Sequence, residues 1–469
     1  MKFKIPESLY AHLLSSMALF SSAQGLNVAV SILRNKVVAV VLGPWGMGII
    51  ALYNTVLHLL QLLTSLGLST SGVRYVAETG DVKKLRSWSL LTAIAGTFLC
   101  LILSPWLSDW VFGDRNHVRA IVCLASVVGL TTLACNEQAL LRGKGELRAM
   151  AKQSVWGCIL TAAVTIPVIF IWRERAIVPS IAIAALMSFC TVIWFSLKCV
   201  PLQGSISWSA LRGGGDLLRL GILFVVASVI AAGGDLLVRT LLNREGALTE
   251  VGLFHAAYMT VFSLGGMFFA SLESDYYPQL SALNMQSEQA TKLINNQIEV
   301  ALLSISPFIV LGILSLDWII PLLFSQKFLP ATECMQLMLL ALYLRALKLP
   351  LSYIPLAQNR GIHYVLLEGV YYIMFVFFVW LGYVHFGILG AGCGVLLTAV
   401  ADYLLLAAYA FVADGYALPL RQWLMGMTQF SLGVATFFTS TKNLWIGLIF
   451  FAISVGLSLL IFTRRLRQQ

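Results

Sequence analysis

The sequence predicts an all-α polytopic membrane protein of about fourteen transmembrane helices, arranged as two pseudo-symmetric six-helix bundles with two further helices at the C-terminus. Three observations carry the prediction. Hydrophobic residues make up 59% of the 469 and charged residues only 11%, with a mean hydropathy of +0.86, a balance that would leave a soluble domain exposing most of its core material. Apolar runs long enough to cross a bilayer, about 20 residues each, recur along the whole chain. Basic residues gather at alternate ends of those runs, the pattern of cytoplasmic loops.

The first run covers residues 9–41 and follows the opening MKFK. With Ser21, Ser22 and Ala23 it superficially resembles a signal peptide cut near Ala23, but the apolar pattern continues to Leu33, so an uncleaved first helix is expected. A Gly43-Pro44 turn opens the second run, 46–76, and four more follow at 86–112, 117–141, 151–172 and 176–200. The longest polar break comes next, PLQGSISWSALRGGGD over 201–216, whose Pro and triple Gly mark a linker. Runs at 217–242, 250–279, 296–324, 332–357, 363–385 and 388–413 form the second half, and those at 418–440 and 443–463 stand outside it. The expected organisation is an N-lobe at 1–200, a cytoplasmic linker at 201–216, a C-lobe at 217–415, and helices 13 and 14 with a cytoplasmic tail at 416–469. A weak internal repeat supports the division. Arg34 precedes Gly48 by 14 residues ahead of IIALYNT, and Arg239 precedes Gly252 by 13 ahead of LFHAAYMT. Six helices separate the two segments, so the halves run parallel, related by an axis along the membrane normal.

With the N-terminus inside, 21 of the 31 Lys and Arg residues fall at cytoplasmic ends, which places both termini in the cytoplasm. That asymmetry accounts for the net charge of +10 without a nucleic-acid partner, and no basic tract is long enough to argue for one. The eight cysteines are scattered, with no CxxC and no paired His spacing, so neither a disulfide framework nor a metal site is expected. No P-loop or nucleophile elbow stands in a suitable context. Every connection is short, leaving no room for an extramembrane catalytic domain. A transporter is expected rather than an enzyme, with no cofactor.

The candidate site residues are charges inside apolar sequence. Arg34 and Lys36 sit among Leu33, Val37, Val38, Val40 and Val41; insertion scales put such a charge at roughly 2.5–3.5 kcal/mol at mid-bilayer, so something anionic or aqueous should face them. If Arg34 and Arg239 end the outer part of equivalent helices, the pseudo-axis brings them to opposite walls of one central cavity, with Lys36 and Arg345 in support. The planar fork of arginine suits phosphate oxygens, and pyrophosphate is the natural anion to bind there. The competing reading is snorkelling to headgroups, or pairing of Arg239 with Asp235 one turn earlier. Among the acids, Glu368, Asp402 and Asp235 are candidates for coupling to H+, Na+ or the membrane potential, whereas Glu273 and Asp275 read as solvated residues at the end of helix 8. His58 and His255 read as polar cavity or interhelix residues. Tyr277, with Tyr276 and Pro278, is placed to form a gate.

Several segments together carry a family resemblance: NKVVAVVLGPWGMGIIALY, GVRYVAE closing helix 2, EVGLFHAAYMT and YYPQLSAL in helix 8, PLLFSQKF after helix 9, and HYVLLE opening helix 11. Their order and spacing over residues 10 to about 413 resemble the polysaccharide transporter branch of the multidrug/oligosaccharidyl-lipid/polysaccharide (MOP) superfamily, above all its O-antigen and lipid III flippases. The resemblance implies a V-shaped pair of bundles that moves an undecaprenyl-pyrophosphate-linked oligosaccharide from the cytoplasmic to the periplasmic leaflet by alternating access. It also places the chain in the bacterial inner membrane, as a monomer among membrane lipids and in association with polysaccharide assembly proteins. Carried over residue by residue, it assigns basic family positions to Lys36, Arg74, Lys327 and Arg345, an acidic one to Glu368, and makes Arg74 a cavity or gate residue. One departure concerns the Gly-Asp that precedes the helix 10 cation in the family, which here is Ala341-Leu342. The two C-terminal helices are similar to those of lipid II flippases, where such helices line a groove for the lipid tail. The alternatives are a cation-coupled multidrug exporter of the same superfamily, whose cavity should favour acids and aromatics, and a membrane enzyme of glycan assembly.

Overall fold

The computed structural model describes residues 7–201, 222–285, 287–440 and 444–466, and among these every regular element is a helix. They are α1 (Glu7–Val41), α2 (Gly43–Ser65), α3 (Leu68–Thr79), α4 (Val82–Leu107), α5 (Val118–Gly143), α6 (Leu147–Trp172), α7 (Ile177–Cys199) and α8 (Ile222–Glu245). There follow α9 (Leu248–Ser281), α10 (Glu288–Leu323), α11 (Thr332–Ser352), the single turn α12 (Ile354–Ala357), α13 (Gly361–Asp414), α14 (Leu420–Ser440) and α15 (Leu444–Leu466). Ten stretches of the described residues are long and apolar enough to cross a membrane, two of which, Leu147–Cys199 and Gly361–Asp414, each hold a pair of helices. With α1 and α14, fourteen helices of spanning length result. The expected all-α polytopic fold is the observed one.

Backbone breaks fall where the residues demand them. The predicted second helix, 46–76, is in fact α2 and α3, because Leu66 and Gly67 adopt left-handed φ values of 50° and 75° that end one helix and start the next. In α13, Phe386 and Gly387 are non-helical, with Gly387 at φ 59°, and the chain turns back on itself. A Cβ on Gly382 or on Gly390 would strike the other's backbone carbonyl, so the two limbs approach as closely as only paired glycines allow.

The chain forms two compact units, Met1–Leu236 and Leu237–Gln469. The division falls within α8, beyond the linker expected at 201–216, of which residues 202–216 lie outside the described residues. So do Lys2, Lys4, Arg212, Arg219 and Arg467 of the cytoplasmic basic set.

In unit 1, α4, α5 and α7 are joined by a buried ionic cluster. Arg86 Nε and Nη2 donate to the two Glu137 carboxylate oxygens at 2.7 and 3.0 Å, and Nη2 also reaches the Val200 carbonyl at 3.0 Å. Ser196 donates to the same carboxylate. One guanidinium thereby neutralises a buried acid and caps the C-terminal carbonyls of α7. Leu68, Val76, Val82, Leu85, Leu140 and Val200 form a core beside it. In unit 2, the C-terminal helices dock through polar contacts, since hydrophobic burial gives little drive between helices in lipid. Gln429 of α14 accepts from Ser454 of α15 at 3.0 Å. Gln336 of α11 donates to Ser440 of α14 at 3.3 Å, and Arg421 of α14 donates to Glu299 of α10 at 3.3 Å.

Candidate functional site

The charged groups of unit 2 converge on a cavity of about 300 Å³ between α9, α11 and the two limbs of α13. Helical spacing puts them there. Tyr258, Phe262 and Glu273 recur on one side of α9, Ala341, Arg345, Lys348 and Ser352 on one side of α11, and Tyr364, Glu368, Tyr371 and Tyr372 on the first limb of α13. The second limb supplies Val395, Ala399, Asp402 and Leu406. Lys348 forms an ion pair with Asp402, which is only 3% exposed, and lies 4.5 Å from the centre of the Tyr371 ring. Glu273 accepts a hydrogen bond from Tyr353 at 2.9 Å, and Glu368 stands one helical turn after Tyr364. Arg345 stacks over Phe269, 5.2 Å from the ring centre. Two cations therefore share the cavity with three carboxylates.

Unit 1 holds a second cavity, of about 280 Å³, with a different character. Asn27, Val30, Ser31 and Arg34 line it from successive turns of α1, and Gln153, Ser154, Gly157, Cys158 and Thr161 from α6, with Gln138 and Ser188 completing the wall. Asn27 donates to Ser154, and the Cys158 thiol lies 3.8 Å from the Asn27 carbonyl. No carboxylate stands among the described lining residues. A single guanidinium among neutral hydrogen-bonding groups is an anion-accepting arrangement.

The structure thus brings Arg345, Glu368 and Asp402 together and sets Arg34 in a cavity of its own. Lys36 is half-buried on the same helix as Arg34. Arg239 is 6% exposed in α8, near His255 of α9, and Asp235 stands half-buried four residues before it. Tyr277 is exposed, its ring 5.5 Å from that of Tyr353 at the edge of the unit 2 cavity. His58 is exposed on α2. Arg74 is exposed on α3, in an ion pair with Glu78 at 2.7 Å. Glu273, expected as a solvated residue at a helix end, lines the cavity instead. Lys348 is the residue that sequence reasoning passes over, counting it among cytoplasmic-end cations. Its spacing of three from Arg345 is the signal that could have found it.

Residues 37–333, well over half of the chain, match the family model described as polysaccharide biosynthesis protein. No curated protein matches the sequence. Among solved structures, the lipid II flippase MurJ in an inward closed conformation is 13% identical, with 96% of this chain and 99% of that one covered and a TM-score of 0.76. An inward-facing multidrug resistance MATE family transporter of the MOP superfamily is 15% identical, with coverages of 86% and 96% and a TM-score of 0.66. A MOP superfamily transporter from Pyrococcus furiosus with a binding pocket of reverse polarity is also 15% identical, with coverages of 91% and 95% and a TM-score of 0.53. The chain belongs to the polysaccharide biosynthesis protein family, and its fold is that of the MOP superfamily of flippases and multidrug transporters.

Proposed function

We propose that this protein is a flippase that carries an undecaprenyl-pyrophosphate-linked oligosaccharide from the cytoplasmic to the periplasmic leaflet of the bacterial inner membrane by alternating access. The observation that carries the reading is the unit 1 cavity, in which Arg34 stands among hydrogen-bonding side chains with no carboxylate among the described lining residues. Moving a sugar-pyrophosphate head through hydrocarbon requires cations that are not already neutralised, and Arg34 is one. Lys36 stands half-buried two residues further along the same helix. Arg345 stands among three carboxylates that repel a dianion, so the pyrophosphate is assigned to Arg34. Release then needs an opposing step. The Lys348–Asp402 ion pair and Glu368 share one cavity, and these acids couple turnover to a proton, to Na+ or to the membrane potential.

A second reading, a cation-coupled multidrug exporter, has its own observation. The unit 2 cavity combines three carboxylates with tyrosine rings, the composition that holds organic cations. Complementation separates the two. In cells lacking the protein, Arg34→Glu should fail to restore glycan export while accumulating in the membrane at normal abundance, and wild-type protein should confer no resistance to cationic dyes. Glycan export that is unimpaired in cells lacking the protein, with dye resistance conferred by the wild type, would establish the exporter instead.

A further inference from the structure

We propose that the unit 2 cavity is a subsite for one sugar residue of the carried glycan, and that it takes an acidic sugar whose carboxylate is bound by Arg345. The inference rests on the flippase reading and names the class of glycan. The donor inventory carries it. Lys348 is spent on Asp402, Glu273 accepts from Tyr353, and Glu368 lines the cavity one helical turn after Tyr364. Among the described residues Arg345 makes no hydrogen bond and no ion pair, although it lines the cavity with its guanidinium carbon 5.2 Å from the centre of the Phe269 ring. A half-buried guanidinium, positioned by an aromatic ring and with its N–H groups open to a cavity, is organised to receive a planar oxyanion in two parallel hydrogen bonds.

The rest of the lining selects the ligand. Tyr258 of α9 and Tyr364 and Tyr372 of α13 add aromatic lining, and the negative face of an aromatic ring attracts the C–H face of a pyranose. Glu273 and Glu368 offer acceptors to sugar hydroxyls. The size suits one residue rather than a chain, since about 300 Å³ is the lower end of the range for small-molecule pockets, about 300–1,000 Å³. Charge excludes the pyrophosphate. Two cations against three carboxylates leave a formal deficit before any ligand enters, which a monoanionic carboxylate bonded directly to Arg345 can tolerate and a dianion cannot.

The test is binding of free probes to the purified full-length protein in detergent, by saturation-transfer NMR and calorimetry at millimolar concentration. Glucuronic acid should bind about tenfold or more tightly than glucose. Arg345→Gln should reduce glucuronic acid to the level of glucose without changing the melting temperature, and Arg345→Lys should recover only part of the difference. Inorganic pyrophosphate should not compete for the site. Equal binding of glucose and glucuronic acid, absence of any sugar binding, or displacement of glucuronic acid by pyrophosphate would overturn the proposal. The flippase reading is tested separately through Arg34, so failed sugar binding with an intact Arg34 dependence of export removes the subsite alone. Normal export by Arg34→Glu with sugar binding retained removes the pyrophosphate assignment alone.

Discussion

Lys348 and Arg345 stand three residues apart on one helix, and their neighbours give them opposite tasks. Lys348 neutralises a carboxylate that is 3% exposed, while Arg345 keeps its donors toward the cavity. Removing one partner of a buried ion pair leaves the other charge without compensation, at a cost of about 3–5 kcal/mol. Lys348→Met should therefore lower the melting temperature of the detergent-solubilised protein sharply, and Lys348→Met combined with Asp402→Leu should recover much of the loss. Thermal unfolding of the three variants checks this, and an additive double variant would mean the pair is not coupled. Arg345, Glu368 and Asp402 are each visible in the sequence as charges in apolar runs. Their meeting in one cavity is not visible, because α11 and the two limbs of α13 supply them and only tertiary packing sets those limbs side by side. Lys348 escapes for a related reason. A lysine two residues before Pro350 and near the end of an apolar run reads as a snorkelling interfacial cation, whereas its partner lies 54 residues away.

Helix connections hold a second set of consequences. The Arg86–Glu137 pair, with side chains 10% and 9% exposed, joins α4 to α5 and caps α7. Arg86→Met should cost about 3–5 kcal/mol of unit 1 stability, and adding Glu137→Leu should return a large part of it; limited proteolysis after Cys199 and melting curves both report on it. Between α4 and α5, His117 Nδ1 is hydrogen-bonded to the Tyr53 hydroxyl at 2.6 Å, and the ring stacks on Phe112 with ring centres 4.0 Å apart. Burial pushes its pKa below the ordinary histidine value, so the neutral ring is the one the fold accommodates. The stabilisation is full above the unfolded value, about 6.5, and is lost as pH falls through it toward the lowered folded value. The melting temperature should thus drop between pH 7.5 and pH 5. His117→Asn, which keeps an acceptor for Tyr53 without a titrating ring, should shrink that drop, and an unchanged pH profile in the variant would assign the sensitivity elsewhere. The helix count and the short connections are readable from apolar run lengths alone. The break of the second run at Leu66 and Gly67 is less so, because a single glycine inside a hydrophobic run more often continues a helix than ends one.

The two compact units carry unlike cavities, acid-free around Arg34 and acid-rich around Arg345. This asymmetry supports the proposed division of labour, with pyrophosphate assigned to Arg34 and coupling to the Lys348–Asp402 pair. Polysaccharide biosynthesis membership and the MOP fold are both consistent with it. The most direct measurement is transbilayer movement in proteoliposomes loaded with a polyprenyl-pyrophosphate-linked oligosaccharide on one side, followed by the access of a membrane-impermeant glycan-cleaving enzyme on the other. The wild-type protein should make the inner pool accessible with time, and Arg34→Glu should abolish that movement while the vesicles retain the same amount of folded protein. Equal movement by both proteins, or none by the wild type, would contradict the account.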